Sequence, residues 1–213
     1  MTDEREQILA RVQSALAPLP QRAALPDWDC ELLQLPQHLR PESAAWNQFA
    51  RRFQAVNGIA FTEISHLVLF LDKNGWRRGY CDPELWSGLK DAFPPTFHVE
   101  TTYERARIDD YDFGVTRATA AIAETGTLIL TDRDTPRRLA ALAPWVHIAA
   151  VSEDQILPDI PDALAAMPPD PNIVWVTGPS KTADVEGILI EGVHGPGAQI
   201  ALRLNSRQDE PSR

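Results

Sequence analysis

The chain has 213 residues, of which 44% are hydrophobic and 23% are charged, as is typical of a soluble globular protein with a substantial core. Twenty lysines and arginines against thirty acids give a formal net charge of -10. This balance argues against non-specific binding to nucleic acid or to an anionic membrane, both of which need a basic face. A small anionic ligand is not excluded, because a local site can be positive within an acidic protein.

The first 42 residues predict a helix and an arm. The spacing of Ile8, Val12 and Leu16 predicts an amphipathic helix over residues 2–16. Five prolines follow within residues 17–42, and they predict an extended arm packed on the domain. We expect the domain itself to cover residues 43–204 and a disordered tail to cover 205–213.

The two cysteines and the hydrophobic runs limit the class of protein. Cys30 and Cys81 lie outside any CxxC or Cys/His cluster, so no self-contained four-cysteine iron–sulfur or zinc site is expected. A disulfide between them is one alternative, and two separate thiols in a cytosolic protein is the preferred one. The amino terminus has no apolar signal region, and no run approaches the ~20 apolar residues of a membrane span. We therefore expect a cytoplasmic protein.

Regular patterns begin after the arm. The spacing of Trp46, Phe49, Phe53 and Val56 predicts a helix that stops at Asn57-Gly58. Asp82 before Pro83 predicts the start of a helix that continues to about Ala92. Apolar runs predict strands at residues 66–71 and 96–100.

The second half of the chain reads as strands with short connections. Apolar runs at 119–123 and 127–131 predict a hairpin that turns at Thr125-Gly126. Thr135-Pro136 predicts a short helix, and Ser152 with Gln155 predicts a capping box. Further apolar runs predict strands at 146–151, 172–176 and 199–204. Apolar strands that alternate with helices predict an α/β layered fold with a mainly parallel sheet, in which ligands bind outside the carboxyl ends of the strands.

The segment "TGPSKTADVEGILIEGVHGPG", residues 177–197, collects five glycines and several ionisable side chains. It follows a predicted buried strand, and a helix that began near Ser180 could present backbone N–H groups and the Lys181 charge to an anion. The segment lacks the second glycine of a Walker A loop. The structural alternative is that Ser180 or Thr182 caps a helix and Lys181 is solvated. A zinc site is disfavoured, because Asp184, Glu186 and His194 match no standard ligand spacing.

Glu124 is the main candidate for a catalytic carboxylate. It lies between a predicted buried strand and a Thr-Gly turn, where desolvation would raise its pKa and suit it to acid–base or nucleophilic work. The alternative is an exposed acid in a hairpin turn. Arg117 is expected at the surface unless the hairpin folds it towards Glu124.

The stretches "GVTRATAAIAETGTLILTD" and residues 177–197, in that order and spacing, resemble the LUD domain, the lactate-utilisation family, in its C-component (LutC-type) branch. The resemblance is strong over residues 113–204. It implies a Rossmann-like α/β sandwich, similar to the phosphosugar-isomerase and coenzyme-A-transferase superfamily. Members of that superfamily use a glutamate beside a glycine as base or nucleophile, and Glu124 is the analogue here. The glycine-rich loop of coenzyme-A transferases is not evident.

The resemblance implies a role in oxidising L-lactate to pyruvate, as a component that holds no cofactor and works with iron–sulfur companion proteins. One alternative is a stand-alone enzyme that acts on an anionic acyl or phosphosugar compound with Glu124 as base or nucleophile. Another is a pure assembly protein. The candidate catalytic residues are Glu124 and His194. The candidate ligand-binding residues are Thr116, Thr125, Gly126, Thr177, Gly178, Ser180, Lys181, Thr182, Asp184 and Glu186.

Overall fold

The computed structural model describes residues 4–17, 45–167, 169–183 and 189–204. The chain divides into one unit of residues 1–34 and another of residues 35–213. In the first unit, helix α1 spans Glu4–Leu16, and its Ile8, Leu9 and Val12 are exposed. The predicted arm beyond residue 17 and the predicted tail lie outside the described residues, as does Cys30, and these expectations stay predictions.

The described part of the second unit contains five α-helices and twelve strands. The helices are α2 (Ala45–Ala55), α3 (Ile64–Lys73), α4 (Pro83–Leu89), α5 (Arg138–Leu142) and α6 (Ile160–Ala166). The strands are β1 (Ile59–Phe61), β2 (Arg78–Cys81), β3 (His98–Glu100), β4 (Phe113–Arg117), β5 (Ala120–Ile122), β6 (Thr127–Thr131), β7 (Val146–Ser152), β8 (Ile156–Leu157), β9 (Ile173–Val176), β10 (Lys181–Ala183), β11 (Leu189–Glu191) and β12 (Ala198–Leu204).

Six strands form a parallel sheet in the order β1-β12-β7-β4-β2-β3. Helices α3 and α4 cover one face, where Leu67 and Leu71 pack with Phe113 and Ile148. Helix α2 covers the other face, as its predicted apolar stripe requires, and its Phe49 and Phe53 are fully buried. The prediction of an α/β layered fold with a mainly parallel sheet is confirmed.

The strand predicted at residues 66–71 is wrong, because these residues belong to helix α3. Leu67, Val68 and Leu71 are buried, whereas His66 and Leu69 are exposed. This is the 3–4 residue spacing of a helix with one apolar face. A six-residue apolar run does not distinguish a strand from part of a buried helix.

A second sheet has the order β8-β5-β6-β9 and contains the predicted hairpin, in which β5 and β6 are antiparallel. Its outer face packs on Ala163 of α6. The prediction that residues 172–176 form a buried strand is wrong in one respect. Strand β9 forms, but among the described residues it pairs only with β6, and Ile173 and Trp175 are exposed.

The direction of the chain decides where the hairpin lies. The amide of Ala118, just after β4, donates to the carbonyl of Ala150 near the carboxyl end of β7, and β5 then runs back along the larger sheet. Helix α2 also begins at the carboxyl edge, where the amide of Trp46 donates to Glu153. It ends at Ala55, and Asn57, which has φ +69°, follows it just before β1. The tip of the hairpin packs against the second half of α2, so it lies towards the amino edge of the larger sheet.

Two smaller predictions also have definite outcomes. Asp82 caps α4 through Glu84 N, and a 3-10 turn continues to Ala92 as expected. The Ser152–Gln155 capping box is present, but it opens a single 3-10 turn. No described helix is long and apolar enough to cross a membrane.

Candidate functional site

Three threonines join the hairpin to the loop after β9. The hydroxyl of Thr127 lies 2.7 Å from that of Thr125 and 2.8 Å from that of Thr177. Strands β5, β8 and β9 run in the same direction, so Glu124 and Thr177 leave the smaller sheet at one edge. Two segments that are far apart in the sequence, both singled out from it, therefore meet.

Gly126 and Gly178 bring these two segments against α2. Gly126 has φ +67°, and a β-carbon there would meet the backbone of Arg52 and Phe53. Gly178 has φ +81°, and a β-carbon there would meet the carbonyl of Val56. Both positions need glycine for conformation and for close packing, which accounts for part of the glycine content of this region.

Lys181 is held at the carboxyl-terminal end of α2. Its ammonium donates to the carbonyl of Val56 at 3.3 Å and lies 3.7 Å from Oε1 of Glu191. The same carboxylate oxygen accepts from Asn57 Nδ2 at 2.8 Å. The expectation of a helix near Ser180 is wrong, because Lys181 begins strand β10. The described residues of this loop, up to Ala183, therefore present no helical N–H groups to an anion.

The rest of the segment wraps around Trp145, which precedes β7. A β-carbon at Gly192 or at Gly197 would collide with the Trp145 indole. Ser180 donates its amide to the carbonyl of Pro196 and accepts from the amide of Gly192. Thr182 pairs with Ile190 in the ribbon β10–β11 and is half-buried, and His194 is exposed. Asp184 and Glu186 lie outside the described residues.

As their sequence positions predict, these loops follow the carboxyl ends of strands, but the strands are β5 and β9 of the smaller sheet rather than strands of the larger parallel sheet. Trp145 and Gly197 come directly before β7 and β12, and Val56 lies three residues before β1. These positions mark the amino edge of the larger sheet. The carboxyl ends that these loops follow are those of strands in the smaller sheet. Its strands β5, β8 and β9 run in the direction opposite to the strands of the larger sheet.

Glu124 and Thr116 are not part of the hydrogen-bonded threonine cluster, although Glu124 directly precedes Thr125. Glu124 is half-buried, and its amide donates to the carbonyl of Pro158 at 3.0 Å. Thr116 lies within β4, is 2% exposed and contacts a buried histidine. The functional roles of Glu124, His194 and the ligand-binding candidates stay predictions.

A polar chain that sequence reasoning missed crosses the centre of the larger sheet. Nε2 of His147 lies 2.8 Å from the Thr116 hydroxyl, and Nδ1 lies 2.7 Å from Gln199 Nε2. Burial lowers the pKa of His147 to about 4, although the hydrogen bond to Gln199 opposes this. The imidazole is therefore neutral near pH 7. One signal was available, since His147 and Gln199 are polar positions within otherwise apolar strands.

The carboxyl edge of the larger sheet carries a cleft around Arg117. The Arg117 guanidinium lies 3.2 Å from Oδ2 of Asp82 and 2.6 Å from Oε2 of Glu84. Two cavities, of about 300 and 430 Å³, both have Glu84 and Arg117 in their linings, and their sizes fit a small molecule. The expectation of a surface Arg117 holds in part: its side chain is 25% exposed, but it pairs with acids that follow β2.

Neighbouring groups fix this part of the cleft. Thr135 is buried and donates its hydroxyl to the Arg117 carbonyl at 2.7 Å. Burial tends to raise the pKa of Asp134, but hydrogen bonds from Arg133 and Thr119 and the charges of Arg133 and Arg117 hold it below its usual value. Asp134 is therefore a carboxylate at neutral pH and accepts hydrogen bonds from ligands or neighbours.

Two groups beside the cleft are protonated. Burial and the Asp82 charge raise the pKa of the Cys81 thiol to about 12. Burial also raises the pKa of Tyr80 to about 12, with Asp82 and Cys81 adding to the effect. Cys81 is fully buried, so it is an inert core residue rather than a nucleophile.

Within the described ranges, no three His, Cys, Asp or Glu side chains are grouped so that they could hold a metal ion. The expectation of a chain without a cofactor stays a prediction. Chemically, the Arg117 cleft offers a fixed cation, acids and hydroxyls that can orient a polar ligand.

These observations define a Rossmann-like layered α/β protein with a cleft at the carboxyl edge of its parallel sheet. The crystal structure of a DUF162 family protein from Deinococcus radiodurans supports this fold, with a TM-score of 0.51. The match has 24% sequence identity and covers 78% of this chain and 100% of that one.

Sequence comparison identifies the family. The model of the LUD domain matches residues 89–202, more than half of the 213 residues, and the chain belongs to the LUD domain family. Lactate utilization protein C of Deinococcus radiodurans is 38% identical over 113 residues, which cover 51% of this chain and 50% of that protein. The Bacillus licheniformis protein of the same name is 35% identical over 98 residues, which cover 42% of this chain and 41% of that one.

The chain spans about half the length of these two relatives, or somewhat less. A match of greater extent is an uncharacterised protein of Neisseria meningitidis, 24% identical over 229 aligned positions that cover 94% of this chain and 93% of that one.

Proposed function

We propose that this chain is the component without a cofactor in an L-lactate utilisation system. It works in the cytoplasm with iron–sulfur companion proteins that carry the electrons when L-lactate is oxidised to pyruvate. The observation that carries this proposal is the 38% identity to a protein named for lactate utilisation, within a shared LUD domain.

Growth of the source organism tests the proposal. Deletion of the gene should prevent growth on L-lactate as the sole carbon source and leave growth on pyruvate unchanged, because pyruvate enters after the proposed step. A plasmid copy of this chain should restore growth on lactate. Normal growth of the deletion strain on lactate would contradict the proposal.

A second candidate is a docking role, favoured by exposed apolar side chains at the amino edge. Val193 is 51% exposed and Leu189 is 58% exposed, and both belong to the segment of residues 177–197 whose Gly192 and Gly197 pack on Trp145. Exposed apolar clusters of this kind mark interaction surfaces. Val193→Asp and Leu189→Asp should reduce co-purification of the companion proteins. Leu69→Asp is the matched control, because Leu69 on α3 is also exposed, at 66%. Equal loss in all three variants would oppose a docking role for this surface.

The stand-alone enzyme remains the third candidate. It requires Glu124 as base or nucleophile, and Glu124→Gln should then abolish complementation on lactate while the protein stays folded. Full complementation by the folded Glu124→Gln variant would remove Glu124 from the chemistry.

A further inference from the structure

A third cavity at the carboxyl edge adjoins the Arg117 cleft and is rich in arginine. It has a volume of about 510 Å³ and is lined by Tyr103, Arg105, Asp132, Arg137 and Arg138, with Pro136 and Leu139. It shares Tyr103, Pro136 and Arg137 with the cavity of about 430 Å³ beside Arg117. The two cavities therefore adjoin along the wall that Tyr103 and Arg137 form.

The charges of this cavity are unbalanced. Three arginines face one acid, and that acid, Asp132, lies 2.7 Å from Nε of Arg138. Among the described residues, Arg105 and Arg137 have no carboxylate within 4.0 Å. By contrast, Arg107, Arg117 and Arg133 each have at least one. In a chain of net charge -10, two arginines without acidic partners at one cavity form a local positive site.

The adjoining cavity of about 430 Å³ has a lining that suits an uncharged part of a ligand. Its acids, Asp82 and Glu84, are both paired with Arg117, so they add little repulsion. Tyr103 and Tyr80 present aromatic rings that meet edge to face at 5.5 Å. Thr101 and Thr102 also line it, and their hydroxyls can donate or accept hydrogen bonds.

We propose that this cavity binds a small organic anion through a carboxylate or phosphate group held by Arg105 and Arg137. The rest of the molecule extends over the Tyr103 ring towards Thr101 and Thr102. Guanidinium groups suit this task because their planar N–H donors match the oxygens of either group. The place also agrees with the general position of ligands in open α/β sheets, outside the carboxyl ends of the strands. The proposal needs no role in lactate metabolism, and it locates the anion away from the loop at Thr177 and Lys181.

Anion titrations of the purified full chain, followed by thermal shift and calorimetry at constant ionic strength, test the site. The probes are acetate and L-lactate for the carboxylate, and inorganic phosphate and glucose 6-phosphate for the phosphate, with chloride as the balancing salt. At least one probe should bind saturably. Arg137→Gln should weaken that binding about tenfold or more, which corresponds to the loss of one charge-assisted contact. Arg105→Gln should also weaken the binding of that probe.

Arg77→Gln removes an exposed arginine outside the cavity; it is the control and should not change the affinity. Lys181→Ala removes the charge at the loop after β9 and tests that loop as the competing anion site. Arg105 and Arg137 are exposed, so their substitution should leave the melting temperature without ligand nearly unchanged. The probe that binds more tightly identifies the anion as carboxylate or phosphate. Absence of saturable binding by all four probes would overturn the proposal. Unchanged affinity in the Arg105→Gln/Arg137→Gln double variant would also overturn it. If Lys181→Ala then lost anion binding, the anion site would lie at the loop after β9 instead.

Discussion

Oδ2 of Asp82 lies 3.2 Å from Nε of Arg117, and this contact joins the carboxyl ends of β2 and β4. Asp82 is 3% exposed, and its other oxygen accepts from Glu84 N at 2.9 Å to cap α4. One carboxylate therefore starts a helix, while its charge is balanced by a cation from the neighbouring strand.

Removal of Arg117 should be costly because it leaves the buried Asp82 charge without its partner. We expect Arg117→Met to lower the free energy of unfolding by about 3 kcal/mol, the usual cost of breaking a buried ion pair. The matched control is Arg77→Met, which breaks the exposed Arg77–Asp72 pair at 2.8 Å and should cost about 0.5 kcal/mol or less. Urea denaturation measures both values. Similar costs for the two variants would show that burial of Asp82 does not govern the stability of the pair.

Gly126 is required for two reasons that can be separated. Gly126→Ala should cost about 2–4 kcal/mol, because it places a side chain at positive φ and drives a β-carbon into the backbone of α2. Gly75→Ala is the matched control: it also has positive φ, +76°, but its β-carbon would enter open space. It should cost only about 1–2 kcal/mol. A cost for Gly126→Ala no larger than that for Gly75→Ala would mean that α2 moves aside without penalty.

Buried His147 should make stability depend on pH. Its pKa is about 4 in the folded protein and about 6.5 when unfolded, so the unfolded chain binds the extra proton between these values. The contribution is complete above pH 6.5 and is lost as the pH falls towards 4. Between pH 7 and pH 5 the loss is roughly 2 kcal/mol. Other groups also titrate, so the comparison is with His147→Gln, which should lack this part of the decrease. Parallel pH profiles for the two proteins would contradict the assignment.

The hydroxyl of Tyr103 is buried without a hydrogen-bond partner among the described residues. Its ring stacks on Tyr111 at 5.0 Å, so the packing does not depend on the hydroxyl. Tyr103→Phe should therefore leave stability unchanged or raise it slightly. Tyr111→Phe should cost about 1–2 kcal/mol, because that hydroxyl donates to Glu100 and accepts from Glu104 N. Thermal denaturation compares them, and a larger loss in Tyr103→Phe would reveal a partner for its hydroxyl.

The sequence predicts those parts of the fold that local chemistry determines. The apolar stripe of α2, the Asp82-Pro83 start of α4 and the Thr125-Gly126 turn each depend on neighbours in the chain, and each is found. The prediction of a strand at residues 66–71 is wrong because their apolar composition fits a strand and a helix equally well. Only the burial of a single face shows that they belong to helix α3. The three-residue strand β1 was missed because its hydrogen bonds come from β12, about 140 residues later.

The candidate site shows the same limit. The contact between Thr127 and Thr177 can be predicted from the strand ends at which these residues lie. Its position relative to the larger sheet cannot, because that position depends on how the two sheets stack. The Arg117 cleft was missed because Asp82 and Glu84 follow β2, whereas Arg117 ends β4. Only the order β4-β2 brings them together.

The last prediction concerns electrons. The purified chain alone should not oxidise L-lactate, because conversion of a 2-hydroxy acid to a keto acid removes two electrons that side chains cannot hold. The sequence contains no GxGxxG motif and only two scattered cysteines, so the electron carrier is expected in the companion proteins. The preparation should be colourless, and lactate-dependent dye reduction should appear only when the iron–sulfur partners are added. Partners without this chain provide the matched control and should be less active than the complete mixture. Robust dye reduction by this chain in isolation would refute its assignment as the component without a cofactor.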